Sequence, residues 1–216
     1  MRRLSPWADS FHLDAADGHF VPSLLFFPDL IRAIRPHTTI PFHVHLMAEH
    51  PAQLAGDFLD AGANVLTVHV ENEKAEAAAA IEMARRRGCG AGVAVKLETP
   101  VRAIEPYLDD VQLVLLLGTQ VGIKGCDIAP QAYDRLREAR NLLDARGKRD
   151  VRLVADGAIR THTVDGLRAA GADMIVPGSL VFQSPDPEAT FRWLQSRTGP
   201  TPPCATARDS PTRSKG

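Results

Sequence analysis

The chain has 216 residues, of which 44% are hydrophobic and 24% charged; its 25 basic and 26 acidic side chains leave a formal net charge of -1. Such a balance offers no basic surface for a polyphosphate backbone, so nucleic acid is excluded as an expected partner. No apolar run approaches the roughly 18 residues needed to cross a bilayer, and the start, MRRLSPWAD, has no apolar core of a secretory signal. Three scattered cysteines, Cys89, Cys126 and Cys204, form neither a disulfide framework nor a CxxC metal knuckle, which makes a reducing cytoplasm the default compartment.

Short β-rich apolar runs alternate with longer helix-forming stretches. The predicted strands are Phe11–Ala15, Ile40–Met47, Val65–Val70, Gly90–Val95, Leu113–Leu117, Val151–Ala155 and Met174–Pro177. Helical stretches are predicted at Pro28–Arg35, Pro51–Ala61, Glu73–Arg87, Thr99–Leu108, Pro130–Ala145, Thr163–Ala170 and Pro185–Ser196. Strand, helix, strand at this spacing implies parallel right-handed crossovers, as in an open doubly wound sheet or a closed barrel. No GxGxxG or GxxxxGK[ST] follows a strand, which weakens the nucleotide-binding versions of the open sheet. The phrases Ala61-Gly62-Ala63-Asn64 and Ala170-Gly171-Ala172-Asp173 each put a glycine just past a helix end, where a left-handed cap is needed. Units this regular favour a (β/α)8 TIM barrel. One domain, residues 1–198, is expected to hold it, and residues 199–216, GPTPPCATARDSPTRSKG, read as a disordered tail.

Residues two apart in a strand share a face, so His12 points with Asp14, His43 with His45 and Met47, and His69 with Glu71. Asp156 closes a later strand. Because strand C-terminal ends converge on one face of a parallel barrel, His12, Asp14, His45 and Asp156 are expected within metal-ligand reach of one another. Taken singly, a His or Asp on a strand is more often a hydrogen-bonded core residue than a ligand. As a set, two imidazoles and two carboxylates suit a divalent ion such as zinc, iron, manganese or cobalt, without choosing among them. A Lewis acid with two carboxylates can move a proton away from and back to a carbon beside a carbonyl, which is the chemistry of an epimerisation. His37, His50 and His162 fall in loops or at helix starts and are expected to be exposed; Met83 lies on a helix face and is expected in the core.

The run HLDAADGHFVP, residues 12–22, resembles the long signature of the ribulose-phosphate 3-epimerase family. His45-Leu46-Met47, Thr67-Val68-His69-Val70-Glu71, Gly92-Val93-Ala94, Thr99-Pro100, Asp156-Gly157 and Gly178-Ser179 follow in that family's order, so the similarity spans Phe11 to Phe182. The resemblance implies a barrel that epimerises a ketose phosphate at C3, ribulose 5-phosphate to xylulose 5-phosphate or a close analogue, with one divalent metal ion. It implies His12, Asp14, His45 and Asp156 as ligands, Asp14 and Asp156 as the acid/base pair, and His45, Met47, Gly122, Gly157, Ala158, Gly178 and Ser179 around the substrate. A sugar phosphate is the implied partner, and a homo-oligomer is compatible with it. Several positions depart from the family. Ala16 and Leu117 stand for sulfur-containing residues, His43 for an Asp, Lys96-Leu97 for Asn-Pro and Ala158 for a second glycine, while residues 118–125 rewrite the substrate loop. These departures leave open an epimerase for another sugar phosphate, such as allulose 6-phosphate, or a degenerate phosphate-binding barrel. Decarboxylation ranks low, since HLDAAD lacks the lysine of Asp-x-Lys-x-x-Asp.

The family's first strand and helix have no counterpart before Phe11, where the residues are too few for a crossover of about a dozen residues. The expectation is a barrel truncated at its N-terminus to about seven βα units, with two unpaired edges. An in-frame upstream segment of about 30 residues, the ordinary length of such a unit, would supply the eighth.

Overall fold

The computed structural model describes residues 1–121 and 125–197. Gly122 and the tail 199–216 therefore lie outside the described residues. Seven parallel strands pair in chain order: β1 (Phe11–Ala16), β2 (Phe42–Met47), β3 (Val65–His69), β4 (Gly90–Val95), β5 (Leu113–Leu117), β6 (Arg152–Asp156) and β7 (Met174–Val176). Seven α-helices accompany them: α1 (Pro28–Ile34), α2 (Pro51–Asp60), α3 (Lys74–Arg86), α4 (Ala132–Ala145), α5 (Val164–Ala169), α6 (Gly178–Phe182) and α7 (Pro187–Gln195). This is a barrel sheet with β1 and β7 as its end strands; among the described residues no ladder joins them.

Two elements differ from the expectation. The stretch after β4 is a 3-10 helix, Val101–Tyr107; in an α-helix the ring of Pro106 would clash with the carbonyl four residues earlier, that of Arg102. Gly178 and Ser179, outside every predicted strand and helix, form the first turn of the short helix α6.

The pleat sorts side chains into two layers. Leu13, Val44, Leu46, Leu66, Val68, Val93, Val114, Leu116 and Leu153 point outward and pack under the helices with Ile31, Phe58, Ile81, Leu136 and Leu167. The opposite face is apolar only towards the later strands, where Ala94, Leu113, Leu115, Leu117 and Val154 cluster. On β1 to β3 that same inner face carries His12, Asp14, His43, His45, Thr67 and His69. Met83 is partly buried against the outer core, while His37, His50 and His162 are exposed, as expected.

The entries to β3, β5 and β7 repeat one device. Asn64 Oδ1 accepts the Phe42 N–H at 2.8 Å, Gln112 Oε1 accepts that of Ala91 at 2.8 Å, and Asp173 Oδ2 accepts that of Leu153 at 2.8 Å. Each side chain thereby satisfies the first free donor of the preceding strand and fixes the register there. At two of these junctions the glycine cap lies beneath an arginine. Gly62 (φ +108°) packs on Arg35, whose Nη2 donates to the carbonyls of Thr38 and Ile40 at 2.6 and 2.8 Å; Gly171 (φ +105°) packs on Arg140, which donates to the Val151 carbonyl at 3.3 Å.

The residues before β1 wind into tight turns, with the N–H groups of Leu4 and Ser5 donating to Met1 and those of Trp7 and Ala8 to Leu4. Ser5 Oγ reaches Thr38 Oγ1 at 2.8 Å, and Gln195 donates to the Trp7 carbonyl at 3.4 Å. The chain's start thus ties α7 to the α1–β2 connection, across the gap between the end strands.

A Cβ at Gly62 would lie 2.7 Å from Arg35 Cδ, whereas one at Gly88 (φ +70°) would meet nothing within 4 Å. Gly88→Ala is therefore expected to cost about 1 kcal/mol, the left-handed penalty alone, and Gly62→Ala about 2–3 kcal/mol, measured by urea unfolding.

Candidate active site and metal centre

The sheet curls until its ends face each other, and the expected cluster forms. One ligand atom from each of His12, Asp14, His45 and Asp156 lies within 4.8 Å of the others. His12 Nε2 is 3.2 Å from Asp14 Oδ1 and 3.8 Å from Asp156 Oδ2, and His45 Nδ1 is 3.1 Å from the same Asp14 oxygen. The register Asp14↔His45 puts those two side by side across the β1–β2 ladder, while Asp156 arrives from β6.

Behind the cluster stand polar groups whose connections the sequence did not reveal. His45 Nε2 lies 2.9 Å from His69 Nε2, and His69 Nδ1 lies 2.8 Å from Glu71 Oε2. Glu71 is held in turn by the Lys96 N–H at 2.8 Å. On the other side, His12 Nδ1 lies 3.1 Å from His43 Nδ1, and His43 Nε2 lies 2.8 Å from Thr67 Oγ1. Period-two spacing put these residues on one face; only the curled sheet and the rotamers join them into two chains.

The surroundings set the charges. Burial pushes His43 well below the ordinary imidazole value, with its histidine neighbours adding to the effect. Burial likewise lowers His45 and His69, against the pull of Asp14 and Glu71 respectively. For His12 burial acts downward too, but the Asp14 hydrogen bond and the charges of Asp156 and Asp14 prevail and raise it. The two carboxyls diverge. Burial raises Asp156 despite the nearby imidazoles, whereas at Asp14 the upward push of burial is overcome by His12 and His45, which hold it below the usual carboxylate range. The Asp14 side chain remains 47% exposed, open to the mouth of the bowl and crowded on its inner side.

These charge states test whether a metal ion fits. Glu71 is held below the ordinary carboxylate value, its own burial being overcome chiefly by the His69 hydrogen bond. An ionised Glu71 accepts a hydrogen bond from the Nδ1–H of neutral His69, which leaves His69 Nε2 as an acceptor. His45 can then donate from Nε2 to His69, behind the Nδ1 atom that lies 3.1 Å from Asp14. With His12 and Asp156 these two side chains bring nitrogen and oxygen ligand atoms within 4.8 Å of one another, a donor set suited to a divalent first-row ion.

The remaining expected residues fall around this centre. Met47 ends β2 and is buried with Ala16 and Val21, packed against Phe20, Leu25 and Val121. Leu117 lies in the inner apolar cluster. Gly157 (φ +93°) follows β6 so closely on Thr119 that a Cβ would lie 2.6 Å from its Oγ1. Ala158 is left-handed as well (φ +53°), a conformation costing about 1–2 kcal/mol without a glycine. Ser179 Oγ accepts from Arg160 Nη1 at 3.1 Å. Arg160, which the sequence did not single out, and Ser179 line an open cleft of about 630 Å3 with Trp193. None of the four cluster residues lines that cleft.

A profile described as the ribulose-phosphate 3 epimerase family matches residues 4–182. The chain belongs to this family. Ribulose-phosphate 3-epimerase of Bacillus subtilis (strain 168) is 36% identical over 179 residues, 83% of this chain and 82% of that protein. The Escherichia coli (strain K12) ribulose-phosphate 3-epimerase is 34% identical over 186 residues, 86% of this chain and 82% of the relative. Among solved structures, a 3-hexulose-6-phosphate synthase superposes with a TM-score of 0.69 at 17% identity, covering 91% of this chain and 90% of that one. An orotidine 5'-phosphate decarboxylase from Pyrococcus horikoshii OT3 does so at 0.65 and 17%, covering 91% and 89%. At that identity the two structures attest the fold alone. Among the described residues no helix is long and apolar enough to cross a membrane.

One signature residue has a structural task. Asp17 accepts the backbone N–H groups of His19, Phe20 and Glu49 at 2.8, 2.9 and 2.9 Å, pinning the loop after β1 to the loop after β2. Burial works against its charge, but these donors hold Asp17 below the ordinary carboxylate value. A depressed folded-state pKa stabilises above the unfolded value and is lost as pH falls through the folded one. Asp17→Asn is therefore expected to lose about 1–2 kcal/mol at neutral pH, from weakened charge-assisted bonds. The gap to wild type should close in urea titrations repeated below the ordinary carboxylate range.

Proposed function

We propose that the chain is a metal-dependent 3-epimerase of a ketose phosphate, interconverting ribulose 5-phosphate and xylulose 5-phosphate by a two-aspartate mechanism. The observation that carries this reading is the convergence of His12, Asp14, His45 and Asp156 at the mouth of the curled sheet, in a member of the ribulose-phosphate 3-epimerase family. The same four side chains would hold one divalent ion, zinc, iron, manganese or cobalt. When bound, that ion supplies Lewis-acid stabilisation of the negative charge that develops beside the carbonyl.

Asp14, kept ionised by His12 and His45, takes the proton from C3. Asp156, pushed towards its protonated form by burial, delivers a proton to the opposite face. Two carboxyls driven to opposite protonation states suit this division of work, and the roles exchange in the reverse direction. Gly157 and Ala158 follow β6, and Gly178 and Ser179 follow β7. These strand ends are where barrels of this kind receive a phosphate, and Arg160 beside Ser179 adds a positive charge there. His45 and Met47 face the sugar from β2.

The reading predicts solvent deuterium at C3 of ribulose 5-phosphate when metal is present. Chelation should abolish the exchange and added metal restore it. Asp14→Asn and Asp156→Asn should each lower kcat by about 100-fold or more, the usual share of a positioned acid or base. A metal-loaded protein without exchange would remove ribulose 5-phosphate as substrate.

A second reading is an epimerase for another sugar phosphate, and Lys96, just past β4, is the position at which an extra anionic group on the substrate would be met. The Lys96 ammonium lies 3.7 Å from the centre of the Phe20 ring, which in turn lies 4.7 Å from the His69 ring. The cation is thus held beside the cluster. If it selects substrate, Lys96→Asn changes the ratio of kcat/KM between ribulose 5-phosphate and allulose 6-phosphate; a surface role would leave that ratio unchanged.

A further inference from the structure

We propose that His43 is a positioning residue for the metal centre: with Thr67 behind it, His43 holds His12 in the tautomer that turns the His12 Nε2 lone pair towards the ion. The inference rests on the four-residue site proposed above and deepens it. His43 is buried, with 3% of its surface exposed, and Thr67 is fully so. His43 stands beside His12 in the β1–β2 register, and the two rings meet edge to face with centroids 4.6 Å apart.

The proton count restricts what the pair can do. Nδ1 of His12 faces Nδ1 of His43 at 3.1 Å, so one nitrogen must carry the proton and the other the lone pair. If His43 carries it on Nδ1, the His12 Nδ1 lone pair accepts it. A neutral His12 then holds its own proton on Nε2, aimed at Asp14 at 3.2 Å, and has no lone pair for an ion. If His43 instead carries its proton on Nε2, it donates to Thr67 Oγ1 at 2.8 Å and accepts from His12 Nδ1–H. Nε2 of His12 is then free to ligate. The Thr67 hydroxyl can either accept or donate, so its rotation decides between a closed and a ligating His12.

His45 has no such choice, because ionised Glu71 fixes the His69 proton on Nδ1. The two ligand histidines are thus backed differently, one by a carboxylate through an imidazole, the other by an imidazole and a hydroxyl. Where the resembled family carries Asp, a carboxylate would accept the His12 proton directly. His43 does the same work with a group that needs Thr67 to set its own tautomer.

Metal affinity, read by competition with a chromophoric chelator for zinc or cobalt, tests this apart from turnover. His43→Leu and Thr67→Val are each expected to weaken binding by about 10-fold to 100-fold, the usual effect of removing a group that orients a metal-ligating histidine. Thr67→Val should cost nothing further in the His43→Leu background, since it acts through His43. His43→Asp should restore binding to within a few-fold of wild type. In zinc-loaded wild type, long-range 1H–15N spectra should show the His43 proton on Nε2. A proton on Nδ1 overturns the proposal whether or not the variants fold. Unchanged affinity in a folded His43→Leu protein overturns it too, while leaving the metal site in place. Wild type that takes up no zinc or cobalt overturns the site itself, and this inference with it.

Discussion

Seven strands paired in sequence order would hold β1 and β6 about 24 Å apart in a flat sheet, at about 4.8 Å for each of five steps. Yet His12 Nε2 and Asp156 Oδ2 lie 3.8 Å apart. The twist of parallel strands closes that distance, and the site depends on it. The helices on the outer face maintain the curl, since Val44, Leu66, Val93, Val114 and Leu153 can be buried only while the sheet keeps its convex side under them. Side-chain latches at Asn64, Gln112 and Asp173 then fix where β2, β4 and β6 begin, and so which of their residues reach the mouth.

Concentrating four imidazoles and three carboxyls inside such a bowl is costly unless each finds a partner. The solution is a division of the inner face: apart from Asp156 at the end of β6, the later strands fill it with apolar side chains, and β1 to β3 carry polar ones in two hydrogen-bonded chains. Those chains do more than satisfy buried atoms. They place His43 behind His12 and His69 behind His45, while His12 and His45 in turn hold Asp14 low and burial holds Asp156 high. The asymmetry between these two chemically identical groups thus comes from the packing around them.

Much of the strand pattern was legible because alternation has a period of two and glycine caps leave a mark. Gly62 and Gly171 are left-handed as their places in the repeated phrase imply. The run 99–108 was harder to read, since helix-forming composition there competes with Pro106, and the backbone settles as a 3-10 helix. Helix α6 was hidden because five residues are too short to show a helical period. His43, His69 and Glu71 were visible as residues on the inner face, but nothing in their spacing said which atoms would touch. Arg160 carried no sequence signal at all; its nearness to Ser179 arises because the loop after β6 meets the first turn of α6.

The sequence by itself determined the alternation of strands and helices, the identity of the four side chains that meet, and the family. These are properties of periodicity and local motif, which need no knowledge of long-range geometry. Tertiary structure alone decided that Asp14 is driven to ionise while Asp156 resists, and that His12 and His45 each have another histidine behind them. Those outcomes depend on the curl of the sheet, on burial and on contacts between distant segments, and none of these is carried by any stretch of sequence taken alone.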